Sequence, residues 1–208
     1  MSSEPIATLR RGIGRDLAIV VSGPSGAGKN TAIDRVLTRV PGLAYSVSYT
    51  TRPRRPGERD GVDYHYVSSA EFDRLVREGE LVEHVTYLGD RYGTGRSQIR
   101  AVFARGEDVI LNVDVEGAKT LRVRGLAGSA PVFVFFAPAS LQELRDRLLE
   151  RGTEDEAEID ARLQVAQEEM KAIPLFDYLV VNEKLDAAVE ELESIIIAER
   201  TRVLPDQP

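Results

Sequence analysis

Short apolar runs alternate with amphipathic stretches along most of the chain. The runs that have the length and content of buried strands are Leu17–Val21, Asp108–Asp114, Pro131–Ala137 and Tyr178–Asn182. The segments between them carry apolar residues at three- and four-residue spacing, which is typical of helices that cover a sheet. Because parallel strands need such crossover connections, the pattern predicts a single α/β domain with a parallel sheet. Ligands are expected at the carboxyl ends of its strands.

Weaker patterns predict smaller elements between the first two runs. Leu43–Ser48 alternates well enough to form a strand, and so does the segment from Glu80 to Tyr87. Alternation along the second of these strands would put Leu81, Glu83 and Val85 on one face, so that a carboxylate lies beside apolar side chains. The glycine-rich segment 89–95 is predicted to be a turn whose Tyr92 and Thr94 face the same cleft.

Composition removes several classes of function. The 208 residues include no cysteine and only two histidines, which excludes thiol catalysis, disulfides and a cysteine zinc site. A net charge of −7 argues against a general nucleic-acid-binding surface. No run approaches the ~20 apolar residues of a membrane helix, and no signal-peptide core is visible, so a cytoplasmic location is expected. Residues 1–15 are predicted to be a flexible basic arm.

The segment after the first strand has the spacing of a phosphate-binding loop. Glycines at 23, 26 and 28 can curl the backbone around an anion, and the helix that follows points its positive end at the same place. Lys29 adds a full positive charge. The template asks for Ser or Thr next, whereas this chain has Asn30 and then Thr31. The alternative is a glycine-rich turn with an exposed lysine.

Arginines are concentrated in two further segments. The loop 46–64 contains four arginines together with stiffening prolines, which favours bidentate phosphate binding over the alternative of a solvated charged loop. Ser140 and Glu143 predict the start of a helix, and a second helix follows a break at 152–153. The arginines of these helices suggest a lid, although surface ion pairing with neighbouring acidic residues would explain them equally well.

These motifs resemble those of guanylate kinases in content and order. Gly-Pro-Ser-Gly-Ala-Gly-Lys is followed by Ser-Val-Ser-Tyr-Thr-Thr-Arg-Pro-x-Arg-x-Gly-Glu-x-x-Gly-x-Asp-Tyr, then by Tyr-Gly-Thr and Arg-Gly-Thr. The resemblance covers residues 16–200. It implies a P-loop core (16–45, 95–137 and 171–208), an inserted mixed α/β GMP-binding lobe (46–94) and a helical lid (138–170), within one domain of residues 16–208.

The resemblance also implies a role for each matching residue. The positions that match ATP-binding residues are Gly23, Pro24, Ser25, Gly26, Ala27, Gly28, Lys29, Asn30, Thr31 and Asn182. The positions that match GMP-binding residues are Ser48, Arg52, Arg55, Tyr64, Glu83, Tyr92, Thr94 and Asp114. The catalytic set is Lys29 with the lid arginines Arg147, Arg151 and Arg162.

The implied reaction moves the γ-phosphoryl group of ATP to GMP, or to dGMP, and gives GDP and ADP. The acceptor is an ionised phosphate, so positive charge is needed and a general base is not. Magnesium is the implied cofactor. Asn30 and Asn112 replace groups that many relatives offer near the metal, so the ion is expected to be held chiefly by ATP phosphates and water.

Two other functions stay open on the sequence alone. A sibling kinase of ribose bisphosphate would share the P-loop and lid, but it would lack the carboxylate Glu83 and the segment that contains Tyr64. A non-catalytic module of the same fold would bind peptides, and the complete glycine loop with Lys29 argues against that reading. The sequence predicts no nucleic-acid or membrane partner, and it does not decide between a monomer and a homo-oligomer.

Overall fold

A five-stranded parallel sheet forms the centre of the molecule. The computed structural model describes residues 16–87, 89–126, 129, 131–151 and 155–203. The predicted N-terminal arm and the predicted helix break at 152–153 lie outside these residues. The strands of the central sheet are β1 (Ala18–Ser22), β2 (Leu43–Tyr45), β7 (Asp108–Asn112), β8 (Val132–Pro138) and β9 (Tyr178–Asn182). They lie in the order β2-β7-β1-β8-β9, and every neighbouring pair is parallel.

The sequence predicted this sheet with small errors at the ends of strands. The strand predicted at Leu43–Ser48 stops at Tyr45. The strand predicted to end at Asp114 stops at Asn112, because Asp114 accepts a hydrogen bond from Gly117 N at 2.6 Å and caps the next helix. An N-cap carboxylate satisfies one of the open N–H groups of the first turn, so the acidic residue starts a helix here.

The described helices pack on both faces of the central sheet, on a second sheet that follows β2, or on each other. They are α1 (Lys29–Arg39), α2 (Ser69–Arg77), α3 (Arg96–Ala104), α4 (Val115–Arg124), α5 (Leu141–Arg151), α6 (Glu156–Met170) and α7 (Leu185–Thr201), with a short 3₁₀ turn at Ile173–Leu175. On one face, Val36 of α1 and Leu192 of α7 pack against Val134 and Phe136. On the other face, α3 and α4 pack against the side chains that alternate with these. Burial of each side chain of this size contributes about 1.5–3 kcal/mol to the stability of the fold, so the apolar runs stabilise the central sheet and its helices.

A second, four-stranded sheet is inserted between β2 and α3. Its strands are β3 (Tyr49–Thr50), β4 (His65–Tyr66), β5 (Leu81–Tyr87) and β6 (Asp90–Gly95), in the order β4-β3-β6-β5. We call it the small sheet. The turn predicted over 89–95 was wrong, because most of that segment is strand β6, paired antiparallel to β5 and β3. Its glycines and charged residues hide the strand pattern from a reading based on apolar alternation.

Strand β5 contains an irregularity next to Glu83. The pairing with β6 shifts between Leu81 and Glu83, as in a β-bulge, so the simple alternation is broken. Leu81 therefore packs with Phe72 of α2 instead of sharing a face with Glu83, which corrects the prediction for that residue. Glu83 and Val85 do line the same cleft, as predicted.

Helices α5 and α6 pack on each other after β8. Ser140 Oγ accepts from Glu143 N at 3.1 Å, which confirms the predicted start of α5, and Asp155 forms a capping box with Glu158 at the start of α6. Leu144 and Leu148 of α5 bury against Ile159 of α6. Within the described ranges, none of the helices has the length and apolar content needed to cross a membrane.

Candidate active site

The P-loop, residues 23–29, turns tightly between β1 and α1. Gly23, Gly26 and Gly28 all have positive φ, at 134°, 93° and 97°. At Gly23 the requirement is also one of space, since a Cβ there would lie 2.2 Å from the carbonyl oxygen of Phe136. The predicted order of strand, glycine loop and helix is therefore present, with the N-terminus of α1 beside the loop.

The ammonium group of Lys29 folds back over this loop. Its Nζ donates to the carbonyl oxygens of Gly23 and Pro24, the second at 2.9 Å. Backbone carbonyls are neutral acceptors, and a phosphate oxygen would be a stronger, charged one. An anion in the loop can therefore replace these contacts.

A cleft of about 730 Å³ joins the P-loop to the small sheet and to α6. The predicted site residues that line it are Gly23, Ser25, Gly26, Gly28, Lys29, Asn30, Thr31, Ser48, Arg52, Arg55, Tyr64, Glu83, Tyr92, Asp114 and Arg162. Two elements that are distant in sequence, the P-loop and the arginine-rich loop, thus open into one space.

The arginine-rich loop is ordered by one acidic residue that the sequence reasoning missed. Glu58 accepts from Arg52 Nη2 at 2.7 Å, from the backbone N–H of Arg55 at 2.8 Å and from Tyr66 Oη at 2.7 Å. Burial acts to raise the pKa of Glu58, but these hydrogen bonds outweigh it and lower the pKa to about 2. The available signal was a glutamate three residues after Arg55, a spacing at which a turn brings side chain and backbone together.

Two tyrosines complete this side of the cleft. The guanidinium carbon of Arg52 lies 5.5 Å from the ring centre of Tyr64, and the Tyr64 ring meets the Tyr92 ring edge to face at 5.9 Å. A cation over an aromatic face is held without using its N–H donors. Arg52, Arg55, Tyr64 and Tyr92 therefore form a group of donors that faces the cleft.

Glu83 is a buried carboxylate at the opposite wall of the small sheet. It is 3% exposed, and its Oε1 accepts from Thr94 Oγ1 at 2.5 Å. Burial raises the pKa of Glu83 to about 7; the Thr94 hydrogen bond opposes this shift, and the charge of Asp114 adds to it. Burial also raises the pKa of Asp114, against the hydrogen bond from Gly117. A buried carboxyl with a raised pKa is suited to a ligand that brings hydrogen-bond donors, because those donors favour its ionised form.

Arg147 and Asn182 support the P-loop from outside the cleft. Arg147 donates to the carbonyl oxygens of Ala27 at 3.1 Å and Asn182 at 2.9 Å, and it pairs with Glu143. Asn182 Nδ2 also donates to the oxygen of Ala27, at 2.7 Å. Neither Arg147 nor Asn182 is among the described residues that line the cleft. The predicted contact of Arg147 with phosphate thus requires this guanidinium to exchange its carbonyl partners.

Arg162 brings α6 to the P-loop. Its Nη1 lies 3.3 Å from Ser25 Oγ, and Arg162 lines the cleft, whereas the side chain of Arg151 lies outside the described part of the chain. Glu169, near the end of α6, also lines the cleft and carries a buried oxygen that has no hydrogen-bond partner among the described residues. Helix α6 therefore adds both signs of charge above the loop.

The two departures from the P-loop pattern contact each other. Asn112 Nδ2 donates to Asn30 Oδ1 at 2.5 Å, at the point where β7 ends beside the start of α1. Within the described residues, no group of three or more His, Cys, Asp or Glu side chains could hold a metal ion. Neutral amide and hydroxyl oxygens from Asn30, Thr31 and Asn112 fit a magnesium ion that nucleotide phosphates and water hold for the most part.

In this cleft a phosphate-binding loop faces a second group of side chains that can donate hydrogen bonds to an anion. P-loop nucleotide kinases have this arrangement. Comparison with known proteins narrows this class. The guanylate kinase family profile matches residues 15–199. Guanylate kinases of Thermotoga maritima and Lactococcus lactis subsp. lactis are 44% and 42% identical, over 90% and 91% of this chain and 89% and 91% of those proteins. The crystal structure of guanylate kinase from Anaplasma phagocytophilum aligns with a TM-score of 0.74 at 29% identity, over 91% of this chain and 89% of that one. The chain belongs to the guanylate kinase family.

Proposed function

We propose that this cleft transfers the γ-phosphoryl group of ATP to GMP, with GMP against the small sheet and ATP on the P-loop. The observation that carries the proposal is Glu83, a buried carboxylate that opens into the same cleft as the P-loop lysine. The corresponding division of the chain is a core at 16–45, 95–137 and 171–208, a GMP lobe at 46–94 and a lid at 138–170.

Guanine is the base that suits Glu83. It presents N1–H and N2–H₂ as adjacent donors that one ionised carboxylate accepts together, whereas adenine has an acceptor at N1. Thr94 holds one oxygen of the carboxylate, while Ser48 and Asp114 lie on the same wall of the cleft. Binding of two donors favours the ionised form and offsets the burial that raises the pKa.

The acceptor phosphate is proposed to bind Arg52, Arg55, Tyr64 and Tyr92. The guanidinium of Arg52 is already oriented by Glu58, so little side-chain freedom is lost when an anion arrives. The cleft would then have two separate phosphate sites. Arg52 lies at the acceptor site on the small sheet side, and Lys29 lies at the donor site on the P-loop.

Phosphoryl transfer then needs alignment and positive charge. The acceptor is an ionised phosphate oxygen, so no side chain has to remove a proton. Lys29, Arg147, Arg151 and Arg162 are proposed to stabilise the charge on the transferring group, and Ser25 with the remaining P-loop backbone is proposed to hold the ATP phosphates. Magnesium bound to ATP supplies further neutralisation, and Asn30, Thr31 and Asn112 are the residues placed to contact its water shell.

Glu83→Gln tests the proposal. The amide presents a donor towards a guanine donor, so the affinity for GMP should fall by about 1–3 kcal/mol, or about 5- to 150-fold. Affinity for inosine monophosphate, which lacks the N2 amino group, should fall less. Isothermal titration with both nucleotides measures this, and Glu80→Gln is the control because Glu80 precedes the same strand and is not among the described residues that line the cleft. Equal GMP affinity in Glu83→Gln and the parent would refute the assignment.

A substrate panel separates the sibling activity from the proposed one. Coupled assays with GMP, AMP, UMP and ribose bisphosphate as acceptors should give turnover with GMP far above the others. Preference for ribose bisphosphate would contradict the role of Glu83, because that acceptor has no base to bind it.

A further inference from the structure

The first turn of α4 passes close to the carboxylate of Glu83, and a glycine stands at the point of contact. A Cβ at Gly117 would lie 2.6 Å from Glu83 Oε2, 3.0 Å from Asp114 Oδ1 and 3.2 Å from Glu83 Cδ. The first distance is below any ordinary contact between non-bonded atoms. No residue with a side chain fits there while Glu83 keeps its position.

Backbone conformation does not explain this glycine. Gly117 is the third residue of α4 and lies in ordinary helix, without the positive φ seen at Gly23 or Gly125. Glycine is less favourable than alanine inside a helix, and Gly117 is a buried helical residue. The missing side chain therefore serves the space that Glu83 occupies.

Glu83 is held on its other side as well. Thr94 Oγ1 donates to Oε1 at 2.5 Å, and Thr94 is 1% exposed. Asp114, the N-cap of α4, is fixed by Gly117 N at 2.6 Å. A methyl group at position 117 would therefore require the Glu83 carboxylate to leave its present place or α4 to move away from it.

We propose that Gly117 is a specificity-determining positioning residue. Because Gly117 has no side chain, the start of α4 leaves the space that the Glu83 carboxylate needs to accept hydrogen bonds from guanine. The inference rests on the proposed role of Glu83. The close approach also puts Glu83 beside the positive end of α4, where a helix favours negative charge. Gly117 is not among the described residues that line the cleft, so it acts through its neighbours, first through Glu83 and, at the longer distance of 3.0 Å, through Asp114.

Gly117→Ala is the direct test. The dissociation constant and KM for GMP should rise at least about tenfold, the magnitude expected when a buried hydrogen-bonded carboxylate is displaced. The preference for GMP over inosine monophosphate should shrink in step, while kcat at saturating GMP and the affinity for an ATP analogue stay within about twofold. Val123→Ala is the matched control, since Val123 lies on the same helix and is 88% exposed.

A shorter carboxylate should remove the conflict. Glu83→Asp retracts the acid group by one methylene, so adding Gly117→Ala to it should change GMP affinity by less than about twofold, whereas Gly117→Ala alone has its full effect. This comparison between Glu83→Asp and the double variant also works if Gly117→Ala alone fails to fold. A further tenfold loss in the double variant would overturn the inference.

The outcomes separate the two proposals. If Glu83→Gln weakens GMP binding and Gly117→Ala does not, Gly117 has no positioning role and the proposed function stands. If Gly117→Ala weakens the ATP analogue as much as GMP, the effect is general and the inference also fails. If Glu83→Gln itself leaves GMP binding unchanged, the proposed guanine site is wrong.

Discussion

The polar side chains on the two sides of the cleft are held by different kinds of partner. On the small sheet side, the polar groups are held by other side chains: Glu58 orients Arg52, and Thr94 holds Glu83. On the P-loop side, two of the cations, Lys29 and Arg147, donate to backbone carbonyls of the loop itself. Lys29 donates to the carbonyls of Gly23 and Pro24, and Arg147 to that of Ala27.

This difference predicts which substrate changes the protein more. A nucleotide on the small sheet finds its partners in place, so its binding should cost little rearrangement. A triphosphate on the P-loop must exchange carbonyl contacts for phosphate contacts, at Lys29 and at Arg147. Donor binding should therefore be accompanied by a rearrangement of the side chains at the P-loop, whereas acceptor binding should not.

The largest expected effect is that of Lys29→Met. Removing this charge should lower kcat by about 10²- to 10³-fold, the usual cost of one transition-state donor in an enclosed site. GMP affinity should stay nearly unchanged, because the Nζ of Lys29 donates to the P-loop carbonyls of Gly23 and Pro24, on the donor side of the cleft. Steady-state kinetics and GMP titration measure the two quantities, and an equal loss of both would show that the sides of the cleft are not independent.

The second prediction concerns pH. Burial raises the pKa of Glu83 to about 7, so the carboxyl is mostly neutral below that pH and presents a donor to the N–H groups of guanine. GMP affinity should fall by about tenfold per unit as the pH drops below 7, giving about a hundredfold at pH 5. ATP-analogue affinity should lack this dependence. Calorimetry between pH 5 and 8 tests it.

Glu83→Gln is the control for that titration. The GMP phosphate has its own pKa near 6, and the variant keeps that ionisation while losing the one at position 83. Stability gives a second reading, because a carboxyl with a raised pKa stabilises the fold below its unfolded pKa and loses that contribution as the pH rises through about 7. Identical unfolding curves against pH in parent and variant would contradict the raised pKa.

Glu58→Gln should have the next largest effect. It weakens the hydrogen bonds that orient Arg52 and the Arg55 backbone, so KM for GMP should rise by about tenfold, as for a bond to a charged group worth about 1.5 kcal/mol. KM for ATP should not change. Glu78→Gln is matched to it, since Glu78 pairs with Arg74 on the exposed surface of α2. Equal effects of the two variants would remove Glu58 from the acceptor side.

Sequence reasoning reached the central sheet and the P-loop because both rest on local patterns. The apolar residues of β8 and the glycines of the loop carry their structure in the sequence itself. Strand β6 was missed because its order comes from pairing with β5 and β3, not from its own residues. Glu58 and Gly117 were missed for a related reason. The spacing of Glu58 from Arg55 indicates a turn, but the importance of Glu58 and of Gly117 depends on which atoms lie opposite them after folding.

The smallest expected effect concerns magnesium. Asn30 Oδ1 accepts a hydrogen bond from Asn112 Nδ2, so the two amides are partners at the position where the P-loop pattern has a hydroxyl. Replacing both by Asn30→Ser and Asn112→Asp would present the metal's water shell with a hydroxyl and a negative oxygen. A contact through water contributes about 0.5–1 kcal/mol, so the free Mg²⁺ needed for half-maximal activity should fall by about two- to fivefold. Because the two amides bond each other, the changes should be non-additive. In Asn112→Asp alone, the Asn30 amide can turn over and donate its Nδ2 to the new carboxylate, so this variant should give less than half of the double variant's effect. Titration of free Mg²⁺ at saturating ATP and GMP measures all three variants against the parent. The same half-activation concentration in the parent and the double variant would show that neither position contacts the metal's shell, and the donor side would then hold its ion through the nucleotide alone.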